Sequence, residues 1–142
     1  MRLKFGQMPK NDYLCTIKNK NNNLKIRAMK LITKEIKKRL EKYPLYSQDG
    51  KKEEAICQAK FFLCVGAWSW FILEADLENN IAYGITINGS GEGEYGYTSL
   101  TELQGLTTKL GLTVERDTSF SPTPLKDINN EYLNKFLKKM YA

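Results

Sequence analysis

The sequence predicts an α+β fold, in which an antiparallel meander sheet of four to five strands has about three helices packed on it. The main observation is a change in the spacing of the apolar residues. They follow the helical period of 3.6 at first, the strand period of 2 after residue 54, and the helical period again after residue 99. With 142 residues, of which 42% are hydrophobic, the chain can bury the core that such a fold needs.

Composition divides the chain into two parts. Residues 1–28 are polar and rich in Asn and Lys, and we expect them to form an N-terminal extension, either a hairpin or a disordered leader. Residues 29–142 are expected to form a single α+β domain.

The first helix of this domain is predicted from a capping signal and a stop signal. It begins after Thr33 as N-cap and ends near Lys42, before Pro44. Its apolar side chains share one face: Ile36, Leu40 and Tyr43.

Two further helices follow the predicted strands. One begins after Ser99, which forms a capping box with Glu102, and is expected to continue to Gly111. Its apolar stripe is Leu100, Leu103, Leu106 and Leu110. The last helix begins near Asn129, and its apolar face consists of Tyr132, Leu133, Phe136, Leu137 and Met140.

The strands are predicted from alternation of apolar residues. Three strands have one strongly apolar face each, at 55–65, 70–77 and 81–88. A fourth strand at 94–98 follows a glycine-rich loop, and a short strand is predicted at 112–117. Pro122 and Pro124 predict an irregular linker.

A three-residue loop, 78–80, sets the predicted register of the second and third strands. It pairs Leu77 with Ile81, and it continues with Ala75 opposite Tyr83 and Leu73 opposite Ile85. A two-residue turn would put Ile81 on the wrong face. Asparagine tolerates the left-handed backbone conformation that such a loop needs.

This register predicts one sheet face that combines aromatic and acidic residues. The aromatic residues are Phe62, Trp68 and Trp70, and the acidic ones are Glu74 and Asp76. Three large aromatic side chains exposed together would form a partner-binding patch. The alternative is that a helix covers them, so that both faces of the sheet are core.

Charge is distributed unevenly along the chain. Residues 1–52 contain 15 Lys and Arg but 4 Asp and Glu, whereas residues 53–117 contain 3 and 10. The basic residues of the first helix are therefore a second candidate surface for an acidic or nucleic-acid partner: Lys34, Lys37, Lys38 and Arg39. The alternative is a solvated helix face, since the chain has 18 Lys but 4 Arg.

The residue types present limit the possible chemistry. The chain has no histidine, which excludes Ser-His and Cys-His catalysis and histidine metal sites.

The sequence also bears on where the protein is found. It has no run of 18 apolar residues, so we expect no membrane span. An odd count of three cysteines suits the cytoplasm.

A metal site built from carboxylates is the alternative to a binding surface. Glu74 and Asp76 share one spacing with Glu115 and Asp117, and together they could hold magnesium or manganese. The competing interpretation is that the outer face of a sheet is simply polar.

Six segments carry a resemblance to a known family. They are MKLITKEI (29–36), PLYSQDGK (44–51), AKFF (59–62), WSWFILEAD (68–76), GYTSLTEL (96–103) and GLTVERDTSFSPTPL (111–125). Together they resemble a bacterial and mobile-element family catalogued as domain of unknown function number 2958, over about residues 29–125. The resemblance implies occurrence mostly on plasmids, conjugative elements and phages. It implies no catalytic residue.

From these observations we expect a non-enzymatic binding protein of a plasmid, conjugative element or phage. It would need no cofactor, and its partner would be a host or element protein or a nucleic acid, with counter-defence as one form of that role. The alternative is a metal-dependent phosphodiesterase or nuclease-like enzyme that uses the strand carboxylates with Mg or Mn.

Overall fold

A five-stranded antiparallel sheet forms the centre of the computed structural model, which describes residues 28–142. Its strands are β2 (Ala59–Phe62), β3 (Ser69–Asp76), β4 (Ile81–Ile87), β5 (Gly93–Ser99) and β6 (Glu115–Arg116). The spatial order is β5-β4-β3-β2-β6, so four consecutive strands form a meander and the last one returns to pair with β2. The predicted α+β class with an antiparallel meander is confirmed. The prediction for the N-terminal extension lies outside the described residues.

A two-stranded sheet lies beside the main one. It pairs β1 (Ile56–Cys57) with β7 (Thr123–Pro124). The predicted first strand is therefore divided in two, and the predicted irregular linker contains a short strand. The backbone N–H of Leu125 continues this pairing by donating to the carbonyl of Ala55 at 2.9 Å.

The first helix, α1 (Lys34–Glu41), begins as predicted. The Thr33 hydroxyl accepts a hydrogen bond from the backbone N–H of Ile36 at 3.2 Å, which satisfies one of the free donors of the first turn. Ile36 and Leu40 are buried against the sheet.

The second helix, α2 (Leu100–Gly105), begins as predicted but ends earlier. Ser99 accepts from the N–H of Glu102 at 3.1 Å, so its cap is confirmed. The expected continuation to Gly111 is wrong, because the backbone is already extended at Leu106. Residues 107–113 form a turn instead, in which the Thr108 hydroxyl accepts from the N–H of Leu112 at 3.0 Å. Leu110 is consequently exposed.

The last helix, α3 (Glu131–Tyr141), has Asn130 as its N-cap. The Asn130 side chain accepts from the N–H of Leu133 at 3.0 Å. Within residues 28–142, no helix combines the length and the apolar character that crossing a bilayer requires.

Helices cover both faces of the main sheet. On the first face, Phe61, Trp70 and Ile72 pack with apolar residues of α1 and α2. On the second face, Phe71, Leu73 and Ile85 pack with Leu133 and Leu137 of α3. Both faces are therefore core over much of their area, which explains why β3 is almost entirely buried.

The register between β3 and β4 differs from the prediction. Phe71 lies opposite Ile85 and Glu74 lies opposite Tyr83, with a register shift between Ile72 and Glu74. Leu73 is therefore an extra residue, a β-bulge, and the pairing predicted from a three-residue loop is wrong. The connection is residues 77–80, and Asn80 has the left-handed conformation, with φ +54°.

The bulge reverses the side-chain alternation along β3. Trp70 and Ile72 lie on the first face, and without the bulge Glu74 would follow them there. With Leu73 inserted, Glu74 lies on the second face beside Tyr83. The inserted Leu73 therefore determines on which face of the sheet the Glu74 carboxylate lies.

Candidate functional site

The predicted aromatic and acidic surface is not formed. Trp70 is 6% exposed on the first face, opposite the face that carries Glu74. Phe62 is buried in a separate cluster with Leu112. Trp68 is 37% exposed and stacks on Trp70, with 5.8 Å between ring centroids. The expectation of a shared face is wrong because it assumed uninterrupted alternation along β3, and the alternative in which both faces are core describes these residues better.

The predicted basic residues lie along α1. Lys34, Lys37 and Lys38 are exposed, whereas Arg39 is half-buried. The Arg39 guanidinium lies 2.6 Å from the carboxylate of Glu35 and donates to the carbonyl of Gln58 at 3.2 Å. Its charge is thus used within the protein.

A basic groove runs between α1 and residues 116–121, with a volume of about 550 Å³. Lys60 lies in it, 3.8 Å from the carboxylate of Asp117, and both side chains are mostly buried. Arg116 donates to the backbone carbonyl of Lys30. We call this feature the basic groove.

The four candidate metal ligands do not converge. Glu74 lies on β3, whereas Glu115 lies on β6 opposite Phe62, and β2 separates these strands. Phe62 pairs with Ser69, which is five residues from Glu74 and hence about 16 Å away along the strand. Among the described residues no group of three or more acidic or cysteine side chains could hold an ion.

Asp76 is used in the β3–β4 turn. Its carboxylate accepts from the Asn79 side chain at 2.8 Å and from the Asn79 N–H at 3.2 Å. These hydrogen bonds lower the pKa of Asp76. The two hydrogen bonds stabilise the β3–β4 turn, so the Asp76 carboxylate has a structural role there.

A pocket lined by tyrosines is the most site-like feature of the second face. It has a volume of about 330 Å³. Its aromatic walls are formed by Tyr46, Tyr83, Tyr95, Tyr97 and Tyr141. We call it the tyrosine pocket. It also contains the carboxylate of Glu74, and Asp49, Lys52 and Met140 line it as well.

Strand pairing places the acid next to the tyrosine rings. Glu74 on β3, Tyr83 on β4 and Tyr97 on β5 are consecutive cross-strand partners, so their side chains form one row on the second face. The Tyr83 ring stacks on that of Tyr95 with centroids 6.1 Å apart. It meets the Tyr97 ring at 5.1 Å and an angle of 60°.

Glu74 anchors the loop that follows α1. It is 4% exposed, and its two carboxylate oxygens accept from the N–H of Tyr46 at 2.8 Å and from the N–H of Gln48 at 2.7 Å. Because a buried carboxylate is costly without such donors, these hydrogen bonds are the reason it is tolerated there.

Gln48 connects the same loop to the bulge. Its side-chain amide donates to the carbonyls of Ile56 at 2.8 Å and Leu73 at 2.9 Å, and its oxygen accepts from the N–H of Ile56 at 2.6 Å. The bulged Leu73 therefore has a hydrogen-bond partner for its carbonyl. Two segments that carried the family resemblance, 44–51 and 68–76, meet at this network.

The backbone is strained at the mouth of the pocket. Tyr46 has φ +73°, an unusual conformation for a large side chain. Its N–H is held by Glu74, and its hydroxyl accepts from the hydroxyl of Tyr97 at 3.1 Å. The surrounding contacts thus fix Tyr46 in a conformation that it would not adopt alone.

Three of the tyrosines that line the pocket have raised pKa values. Burial and a 2.6 Å hydrogen bond to Tyr141 raise the pKa of Tyr95. The hydrogen bond to Tyr46 raises the pKa of Tyr97 to about 12. Burial raises the pKa of Tyr83, and the negative charges of Glu74 and Asp49 add to the effect. Aromatic rings together with the carboxylates of Glu74 and Asp49 favour a cation over an anion.

Sequence reasoning missed the tyrosine pocket, although part of its signal was visible. Tyr95 and Tyr97 are two residues apart on one strand, which places both rings on one face. Tyr46 and Gln48 stand in the PLYSQDGK segment. The convergence of these residues on Glu74 depends on the bulge.

Of the comparisons with known proteins, only the one with family models found a match. No curated protein and no solved structure matches the chain significantly. A family model described as "Protein of unknown function (DUF2958)" matches residues 31–131, a range that includes most of the tyrosine pocket but ends before Met140 and Tyr141. The chain therefore belongs to the family of proteins of unknown function numbered 2958.

Proposed function

We propose that this protein is a non-enzymatic binding protein that holds a partner protein at the tyrosine pocket. The observation that carries the proposal is the location of exposed apolar side chains. Tyr46 is 68% exposed, Tyr97 56% and Met140 51%, and all three line this pocket. Tyrosine and methionine are enriched in protein interfaces, and clustered exposure of such residues marks binding sites.

Preorganisation supports the same function. The backbone N–H groups of Tyr46 and Gln48 donate to Glu74 and so hold the 44–50 loop. Hydroxyl–hydroxyl hydrogen bonds join the side chains of Tyr46 and Tyr97 and those of Tyr95 and Tyr141. Side chains that are already fixed lose little conformational entropy on binding. The tyrosine pocket is therefore suited to binding a partner protein without a large loss of side-chain entropy.

The chemistry of the pocket favours binding over catalysis. A tyrosine base needs a lowered pKa, whereas those of Tyr83, Tyr95 and Tyr97 are raised. Backbone hydrogen bonds to both oxygens of Glu74 fix the orientation of its carboxylate. These groups are suited to holding a ligand in place.

The partner that we propose is a cytoplasmic protein of the host or of a mobile element. This choice follows from the resemblance to a protein family whose members occur mostly on plasmids, conjugative elements and phages. Blocking a host defence protein is one role that such a contact would serve.

Affinity capture with matched variants tests the proposal. The full chain, a Tyr97→Ala variant and a Leu110→Ala variant are each used to capture proteins from a bacterial host, and the captured protein is then purified and titrated calorimetrically. Leu110 is a suitable control because it is exposed and apolar but does not line the pocket. We expect Tyr97→Ala to weaken binding at least ~10-fold, as for an aromatic residue at the centre of an interface, and Leu110→Ala to leave it unchanged. Equal affinities of all three proteins would refute the role of the pocket.

A further inference from the structure

We infer that the tyrosine pocket takes an arginine side chain of the partner, with the guanidinium against the tyrosine rings and the carboxylate of Glu74. This inference rests on the proposed function, and it adds the chemical group that is recognised.

The first argument is the charge of Glu74. Within residues 28–142, no lysine or arginine nitrogen lies within 4.0 Å of its carboxylate, although the side chain is almost completely buried. Buried ions in proteins are usually paired with an opposite charge. Two backbone donors occupy two of the roughly four acceptor positions of a carboxylate, so further donors can be accommodated.

The second argument is the electrostatic field inside the pocket. Glu74 and Asp49 line the same pocket as Tyr83, and after burial, the largest cause, their negative charges contribute to the raised pKa of Tyr83. Lys52 is the one lysine or arginine among the described residues that line the pocket, and it is exposed. The same field that disfavours a phenolate favours a bound cation.

The third argument is the aromatic wall. The Tyr83 ring lies 6.1 Å from that of Tyr95 and 5.1 Å from that of Tyr97, and Tyr83 is the cross-strand partner of Glu74, so the aromatic cluster adjoins the residue that carries the carboxylate. A cation over such rings is stabilised by the ring quadrupole, and more so when it is removed from water.

Size and hydration favour arginine over other cations. A volume of about 330 Å³ lies at the lower limit of ligand pockets, so it suits one side chain rather than a larger molecule. The guanidinium is planar, stacks on aromatic rings, is weakly hydrated and carries five donors. An ammonium group loses more hydration on entering and stacks less well.

Three small probes test the inference on the full chain: the N-acetyl methylamides of arginine, lysine and citrulline. Citrulline has nearly the shape of arginine without its charge. Each probe is titrated while the tyrosine ring resonances are followed by NMR. We expect the arginine probe to shift the pocket tyrosines with a Kd on the order of 1 mM, at least ~10-fold tighter than citrulline and tighter than lysine.

Variants separate the charge from the shape of the pocket. Glu74→Gln is expected to weaken the arginine probe at least ~10-fold, and Asp49→Asn about 2–5-fold. Asp49 is exposed, so its variant remains informative if Glu74→Gln does not fold. Glu102→Gln, an exposed charge on α2, is the control and is expected to change nothing.

The outcomes are distinct. Binding of citrulline as tight as that of arginine, or no shift with any probe, overturns the inference of a cation site. Binding of lysine as tight as that of arginine overturns the choice of guanidinium. In either case, a partner protein that is captured by the full chain and lost with Tyr97→Ala would still support the proposed function, so the two failures can be distinguished.

Discussion

The tyrosine pocket and the basic groove use charge in opposite ways. In the groove, Lys60 lies beside Asp117, Arg39 lies beside Glu35, and Arg116 donates to a backbone carbonyl. In the pocket, Glu74 accepts two backbone hydrogen bonds, and none of the described lysines or arginines is within salt-bridge distance of it.

This difference indicates which feature is available to a ligand. Interactions within the protein already use the charges of Arg39, Lys60 and Arg116, so a ligand would have to compete with them. The charge in the pocket can gain a partner without losing one. The larger cavity is thus the weaker candidate, although Lys34 and Arg39 of the predicted basic surface line it.

Disruption of the strand pairing beside the bulge should destabilise the protein most and remove the pocket. A Cβ added at Gly84 would lie 1.9 Å from the carbonyl oxygen of Phe71, so Gly84→Ala must displace β4 from β3. We expect a loss of more than ~3 kcal/mol in the free energy of unfolding, measured by urea denaturation, together with loss of arginine-probe binding.

The adjacent strand supplies the control for this prediction. Gly96 is the cross-strand partner of Gly84, and a Cβ added there meets no atom of residues 28–142 within 4 Å. Gly96→Ala should therefore change stability by less than ~1 kcal/mol. A similar loss in both variants would show that the close approach of β4 to Phe71 is not what limits substitution.

The second prediction concerns the loop of the pocket. Gln48→Ala removes a buried amide that bonds backbone groups of Ile56 and Leu73, and we expect it to cost about 3 kcal/mol in urea denaturation. Gln104→Ala is the comparison, because the Gln104 side chain bonds the backbone of Leu31 and Met29 at a half-exposed site. There water can replace the lost bonds, so a cost of about 1 kcal/mol is expected. Equal costs would contradict the importance of burial at Gln48.

The smallest effect is expected in α1, beside the basic groove. Replacing Lys34, Lys37 and Lys38 together by alanine removes exposed charges and should change the free energy of unfolding by less than ~1 kcal/mol. Affinity for the arginine probe should be unchanged.

A DNA-retention assay completes this test. We expect no retention of the full chain at about 50 mM salt. Retention that disappears in the triple-alanine variant would reverse the comparison and make α1 a functional surface.

Much of the framework could be predicted from residues alone. Thr33, Ser99 and the alternation in β3 and β4 predicted where the helices begin and where the strands lie, because caps and periodicity act over a few neighbouring residues. The predictions were wrong where one local sequence pattern is compatible with two different structures. The leucine stripe predicted a long α2, but a threonine hydroxyl stabilises a turn there instead.

The α+β class, the positions of the caps and the uneven distribution of charge follow from local spacing and composition. The bulge at Leu73 instead depends on contacts between distant segments of the chain. Alternation cannot reveal an inserted residue whose carbonyl is satisfied by Gln48, 25 positions earlier in the chain. That insertion separates Trp70 from Glu74 and brings the carboxylate to the tyrosines. The site depends on pairing between distant segments, whereas the elements that build it depend on neighbours.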